Sequence, residues 1–440
     1  MGQTEDANIT KEHVAKAITR RSFLRNTAAV AAGGMGALYL GGAGATAIAA
    51  DTKTIPPSAA ASVSAAATVA SHAKVQVKEI TQIAIAVSDI RKTAADYWNI
   101  LGVGPWSVFN WSAPEVTERH YHGKSAPGAH EWIALTDLKG KDDSGKDRGC
   151  QFELVQPGKE PSMYADFLKE RKSNGINHVQ FQVNSIEEVN KVEEAMAEFG
   201  FQVLQNGKFG PKDNMGMFSY IDTQEPLGGI WEVVYSGGGV AEQPLMIPSN
   251  PNPVSKAKMH VPFISQLGVV VRDVEEACWN YWNLLGIGPW TVIDWEYPLV
   301  YDRRYHGNLR WARDKIALCM LGGVEFELVA WYQGPSGYKD WLDKYGPSLN
   351  HIQFLVPSVD AVYASGAEFE KEGFPALGSG TFGNPAAAGA YLYSDCNKKL
   401  GAIWESVKNG GATALDGLSV PRTIPATEQE TAGQTINYSR

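Results

Sequence analysis

The chain is short of cysteine, has no long basic run and has no long uninterrupted apolar run, and each scarcity removes a class of protein. Four cysteines in 440 residues, at 150, 278, 319 and 396, show no close pairing. A core of this size folds without disulfides, so no bridge is expected, and no zinc-finger spacing is present. The formal charge of −9, with no basic run to set against it, gives a nucleic-acid partner little electrostatic support and sets that class aside. The mildly apolar stretch 27–50 is interrupted by glycines at 33, 34, 36, 41, 42 and 44, which leaves it short of a comfortable bilayer span. What remains, 44% hydrophobic and 20% charged, is an ordinary soluble composition with a sizeable core and two or more domains.

The stretch 27–50 follows TRRSFLR (19–25) and ends in Ala47-Ile48-Ala49. Segment 1–50 resembles a twin-arginine signal peptide, with Arg20 and Arg21 as the pair; a lone membrane anchor is the competing reading. The resemblance implies a periplasmic or secreted protein with no stable membrane anchor after cleavage. Because that route carries folded proteins, it also leans towards a cofactor. An Ala/Ser/Pro-rich linker follows over 51–75.

Beyond the linker the chain repeats itself. ILGVGPWSVFNW (100–111) returns as LLGIGPWTVIDW (284–295), and Gln82/Gln266, Trp106/Trp290, Trp111/Trp295 and His122/His306 are each 184 residues apart. Farther on, Glu153 to Glu327 is 174, and His178 to His351 and Glu232 to Glu405 are 173. The shortfall falls in the polar segment KGKDDSGKDRG (139–149), where an insertion costs little. Two modules follow, 76–237 and 260–410, with a linker at 238–259 and an unassigned polar tail at 411–440.

Each module also divides in half. ITQIAIAVSDI (80–90) and INHVQFQVNSI (176–186) share one design, a short alternating strand and then a helix start, and the second module has ISQLGVVVRDV and LNHIQFLVPSV. In the first helix Ile90, Ala94, Tyr97 and Leu101 follow helical spacing, and Ser185 with Glu188 makes a capping box for a later one. Strand-like runs near 105–111, 131–138 and 149–155 complete the order βαβββ. The expected class is α+β, with four βαβββ units in two modules.

Alternation along each strand sorts its side chains. Gln82, Glu153, His178 and Glu232 each oppose a bulky apolar set, for example Ile83, Ile85 and Val87 around Gln82. Gln266, Glu327, His351 and Glu405 repeat the pattern. The apolar faces are free to pack on helices, and each polar residue then points into the concave side of a sheet. Taken singly, a strand histidine is more often a hydrogen-bonded core residue and a strand-end glutamate is usually solvated. Eight such residues recurring in order weaken that reading.

This pattern resembles the vicinal oxygen chelate superfamily of glyoxalase/bleomycin-resistance-type modules, over about residues 78–410. The resemblance implies that Gln82, Glu153, His178 and Glu232, and Gln266, Glu327, His351 and Glu405, are metal ligands in the manner of the glyoxalase I and methylmalonyl-CoA epimerase branch. One imidazole and three oxygen donors suit divalent Zn, Ni, Co or Mn, with iron disfavoured. It further implies an isomerase or lyase that moves a proton next to a carbonyl of a small oxygenated substrate through a metal-stabilised enediolate. Glu232 and Glu405 are then the leading bases, with Glu153 and Glu327 as partners. Two alternatives stand beside it: an extradiol-type dioxygenase cleaving an aromatic substrate, and a metal-free module that sequesters a small molecule.

ERHYHGK (118–124) and DRRYHGN (302–308) place Arg119 on Arg303, Tyr121 on Tyr305 and His122 on His306. They are candidates for substrate binding on a loop, or else they close a turn. Trp106 and Trp290 are candidate pocket walls, although alternation with Trp111 and Trp295 requires one of each pair to face the core. The sites close either within a module or across the two, and the oligomeric state is open.

Overall fold

The computed structural model describes residues 70–158, 161–240, 242–250, 253–411, 418 and 420–427. The expected signal peptide at 1–50, most of the linker 51–75 and most of the tail 411–440 lie outside the described residues. No helix among the described residues is long and apolar enough to cross a membrane.

The first module contains strands β1 (Gln82–Ala86), β2 (Trp106–Trp111), β3 (Val116–Tyr121), β4 (Lys124–Ser125), β5 (Glu131–Lys141), β6 (Asp147–Pro157), β7 (Gly175–Gln182), β8 (Val203–Phe209), β9 (Gly216–Ile221), β10 (Ile230–Tyr235) and β11 (Leu245–Ile247). Its helices are α1 (Ile90–Leu101), α2 (Met163–Arg171) and α3 (Ile186–Glu198). The second module has β12 (Gln266–Val270), β13 (Trp290–Trp295), β14 (Val300–Tyr305), β15 (Asn308–Leu309), β16 (Arg313–Leu321), β17 (Val324–Gln333), β18 (Ser348–Leu355), β19 (Ala376–Phe382), β20 (Gly389–Asp395), β21 (Ile403–Lys408) and β22 (Arg422–Ile424). Its helices are α4 (Val274–Leu285), α5 (Gly337–Tyr345) and α6 (Val359–Lys371). Local chemistry sets the helix ends. Asp89 and Asp273 accept backbone N–H bonds at the starts of α1 and α4, and Gly102 and Gly286 end them in the left-handed region. At α3, Ser185 accepts from the Glu188 amide, while the Glu188 carboxylate reaches back to the amide of Asn184 rather than of Ser185.

Each module is one mixed sheet, in the order β11-β2-β5-β6-β1-β7-β10-β9-β8-β3-β4, with its counterpart in the second. The two βαβββ halves meet where β1 pairs with β7, and β12 with β18. The hairpin β3–β4 leaves the first half and pairs with β8 at the far edge of the second, so the Tyr-His-Gly stretch is a hairpin turn and not an open loop. Two boundaries also shift. β11, inside the expected linker 238–259, pairs with β2, and β22, inside the tail 411–440, pairs with β13. The repeated Pro-x-x-Ile-Pro of PLMIP (244–248) and PRTIP (421–425) was the sequence signal for this extra strand. The insertion 139–149 is likewise not a loop. It lengthens β5 and β6 into a hairpin whose turn is held by Asp142, and the Gly149 amide at its base donates to the Gly323 carbonyl of the second module.

One apolar layer serves both modules. It joins Ile83, Phe152 and Trp231 of the first sheet to Leu267, Phe326 and Trp404 of the second, with α1 and α4 between. Trp404 stands edge-on to Tyr97 and Trp231 edge-on to Tyr281. The Tyr97 hydroxyl donates to the Leu400 carbonyl at 2.6 Å, and Tyr281 donates to that of Leu227 at 2.6 Å. The lead-in segments are strapped across the same junction: Ser71 bonds the Trp282 carbonyl and Ser255 the Trp98 carbonyl. The concave faces are left looking outward, each with its own smaller apolar lining. Removing either tyrosine hydroxyl strands a buried carbonyl, so Tyr97→Phe and Tyr281→Phe should each lower stability by about 1–3 kcal/mol, read as a lower denaturant midpoint with the fold intact by circular dichroism.

Candidate metal centre

Strand register assembles four polar side chains in each cup. In the first, Ala84 lies level with Glu153 on β6 and His178 on β7, and Gln82 lies level with Gln151 and Gln180. Glu232 on β10 is level with Gln180. All four predicted ligands therefore come from one module, which decides between the two pairings left open by the sequence. Gln266, Glu327, His351 and Glu405 gather in the same way.

The cup floor is a hydrogen-bonded row of amides. Gln82 donates to Gln151 at 2.5 Å, and Gln180 donates to Gln82 at 3.0 Å and to Glu232 at 2.8 Å. In the second cup the row runs Glu325, Gln266, Gln353, Glu405, with separations of 2.8, 2.9 and 3.0 Å. Gln180, Gln353 and Glu325 escaped the sequence reading because a polar residue beside a ligand looks like another cup-facing residue until the row is formed.

Each histidine is aimed by a bulge. The β1–β7 register slips between Ala84 and Ile85, leaving Asn177 as the extra residue, and the β12–β18 register slips at Asn350. The asparagine side chain thereby reaches the neighbouring ring: His178 Nδ1 lies 3.1 Å from Asn177 Oδ1, and His351 Nδ1 2.9 Å from Asn350 Oδ1. An amide oxygen only accepts, so Nδ1 carries a proton in each ring, and Nε2 is the nitrogen turned to the cup. The repeated Asn-His dipeptide was visible in the sequence; its bulge was not.

That nitrogen meets carboxylates. His178 Nε2 is buried without a hydrogen-bond partner, 3.4 Å from Glu153 Oε2 and 3.3 Å from Glu232 Oε2. His351 Nε2 is 3.1 Å from Glu327, 3.6 Å from Glu405 and 3.3 Å from the Gln266 oxygen. A lone pair against two carboxylates is repulsive unless a proton or a metal ion stands between them. Two donors held about 2.1 Å from one ion at octahedral or tetrahedral angles are roughly 3.0–3.4 Å apart, so the residues fit a divalent ion. The side chains are not drawn into a finished cage: among the described residues no three His, Cys, Asp or Glu groups form one as placed. Gln180 and Gln353 donate to Glu232 and Glu405 and so help to fix those carboxylates.

With protons in place of an ion, the two cups differ. Burial pulls the His178 imidazole down, but Glu153 and Glu232 outweigh it and push it up to about 9. Burial lowers His351, against the pull of Glu405. In that cup burial instead raises the carboxyl groups, Glu327 to about 8 and Glu405 and Glu325 to about 7. On β12, Gly268 stands where the first module has Ala84. A Cβ there would run into the His351 ring, which has settled across the strand towards Gln266.

The remaining candidates separate. Trp106 and Trp290 are wholly buried in the shared layer, each donating to a carbonyl three residues back, so neither walls a cup; Trp111 and Trp295 do. Alternation had required such a split. Arg119 is buried against Glu131 and the Trp111 carbonyl and is a structural tie rather than an anion grip. Arg303 pairs with Asp314 yet still borders a cavity. Tyr121 and Tyr305 bond Asp166 and Asp340 on the outer surface. His122 and His306 take positive φ at the hairpin turns, away from the ligands.

A family model described as the glyoxalase/bleomycin resistance protein/dioxygenase superfamily matches residues 81–218 and 265–392. The chain belongs to this superfamily. Its two matches fall on the two modules, whose enzymes typically depend on a divalent metal. No curated relative matches the chain. Among solved structures, a triple mutant of 4-hydroxymandelate synthase from Streptomyces coelicolor aligns at 11% identity and TM-score 0.47, covering 77% of this chain and 94% of its own. An Mn(II)-bound glyoxalase from Novosphingobium aromaticivorans aligns at 13% and 0.39, covering 77% and 85%. A variant of homoprotocatechuate 2,3-dioxygenase from Brevibacterium fuscum aligns at 13% and 0.39, covering 80% and 76%. At these values the likeness is one of fold alone. Within the superfamily fold, the Asn-His pair should govern the metal: Asn177→Leu and Asn350→Leu should each weaken one site by about 10–100-fold, measured by chelator competition on folded protein.

Proposed function

We propose that this superfamily member is a metal-dependent isomerase or lyase of glyoxalase type, moving a proton on the carbon next to a substrate carbonyl. The observation that carries the reading is the buried His178 Nε2, without a hydrogen-bond partner and facing the carboxylates of Glu153 and Glu232 in one module. One histidine per cup supports this over ring cleavage, which in non-haem iron enzymes rests on two histidines and one carboxylate. The chemistry that a divalent ion supplies when bound is Lewis-acid polarisation of the carbonyl.

The protein's own groups do the rest. Glu153 on β6 and Glu232 on β10 are separated by β1 and β7, so a substrate lying over the floor has a carboxylate on either side. One takes the proton from carbon and the other can return one to the opposite face; Glu327 and Glu405 are placed alike. The amide row keeps Gln82 and Gln266 oriented, and the aromatic walls exclude water. Within the same proposal, Arg20 and Arg21 direct export, so the substrate is met outside the cytoplasm.

A second reading is supported by the aromatic lining of the cups, Trp295, Phe382, Tyr391 and Tyr393 in the second one: a dioxygenase acting on an aromatic ring. The expected result is two divalent ions per chain in protein purified from its exporting host, falling to one in His178→Ala or His351→Ala. Deuterium should enter the α-position of a carbonyl substrate from heavy water, without oxygen uptake, and Glu232→Gln with Glu405→Gln should abolish the exchange. Substrate-dependent oxygen consumption would favour the second reading, and metal-free protein that still binds ligand would sink both.

A further inference from the structure

The two modules share a backbone but not a filling, and the difference lies beside the cup. In the first module Gln205 on β8 is buried, donates to Glu131 at 3.2 Å and accepts from the Met163 amide at 3.3 Å. The Met163 side chain is buried in the lining of that cup. At the matching positions of the second module both side chains are missing: Gly337 stands for Met163 and Gly378 for Gln205. Asp314, which pairs with Trp295 as Glu131 pairs with Trp111, is shorter by one methylene. A Cβ built at Gly337 would meet nothing closer than 3.9 Å, and one at Gly378 only the Arg304 carbonyl at 3.4 Å.

Where these side chains are missing the surface opens into a recess lined in part by Gly337 and Gly378. Tyr391 and Tyr393 border both this recess and the cup, forming a wall between the two. Its apolar surface comes from Pro335, Leu377, Ile403 and the tyrosines, while Arg303 and Arg304 line it with no carboxylate among the lining residues. Asn350 also lines it, 1% exposed, and its Nδ2 is a buried donor without a partner. A buried unsatisfied donor costs about 1–3 kcal/mol, so an acceptor arriving there is favoured.

We propose that the second module carries a ligand pocket of its own beside the cup, for the carboxylate end of a small amphipathic anion with an aromatic or aliphatic body. Arg304 attracts the anion while Arg303 stays paired with Asp314, the Asn350 amide donates to it, and the tyrosines cover its apolar part. Since the Asn350 oxygen holds His351, the occupant also braces the cup-facing imidazole.

Calorimetric titration of the full chain with 4-phenylbutyrate, and with 4-phenylbutyramide as the neutral control, tests this. One equivalent of the acid should bind, the amide at least about tenfold more weakly. The double variant G337M/G378Q restores the packing the first module already tolerates, and it should weaken the acid by about tenfold or more. Unchanged metal content and an unchanged melting curve should accompany that loss; should the double variant not fold, G378Q alone carries the comparison. Absence of saturable binding, equal binding of the amide, or undiminished binding by a folded variant would each overturn the proposal.

Discussion

Every central strand has two faces, and the apolar layer between the modules takes one of them. Trp231, Trp404, Phe152 and Phe326, locked with Tyr97 and Tyr281, bury the convex sides against each other. That leaves the concave faces turned away from the shared layer, among the described residues. A histidine, two glutamates and a glutamine on such a face are buried by their own cup and remain reachable from outside. The metal-ready arrangement is therefore a consequence of how the apolar faces are spent.

Duplication has preserved the candidate ligands and let their surroundings drift. Gln151 against Glu325 changes the charge at one end of the amide row, and Ala84 against Gly268 changes how far the imidazole can settle over the strand. Met163 and Gln205 against Gly337 and Gly378 change the volume beside it. None of these alters the backbone course, because each is a side-chain event on a sheet held by its register. Two cups of one descent thus differ in which group takes a proton and in what space is open to a ligand.

Much of this was legible from residues. The constant offset of Gln82, His122 and Trp106 from their partners marked the repeat, and alternation assigned Ile83, Phe152 and Trp231 to one face and Gln82, Glu153 and Glu232 to the other. Alternation also separated Trp106 from Trp111. What escaped was non-local. A hairpin that crosses to the far edge of the sheet carries the same turn chemistry as a surface loop, so Tyr121 and His122 looked like loop binders. Arg119 looked free to bind substrate because its partner, Glu131, is twelve residues away and meets it only across the fold.

The sequence by itself determined the doubled βαβββ pattern, the eight ligand candidates and the face each occupies, because strand periodicity and spacing are local properties of the chain. Only the tertiary structure decided that each set closes within its own module, that Asn177 and Asn350 bulge out to aim the imidazoles, and that the second module keeps an unfilled recess. These depend on which strands pair and in what register, and pairing is settled by burying two apolar faces together, an energy that no single segment contains.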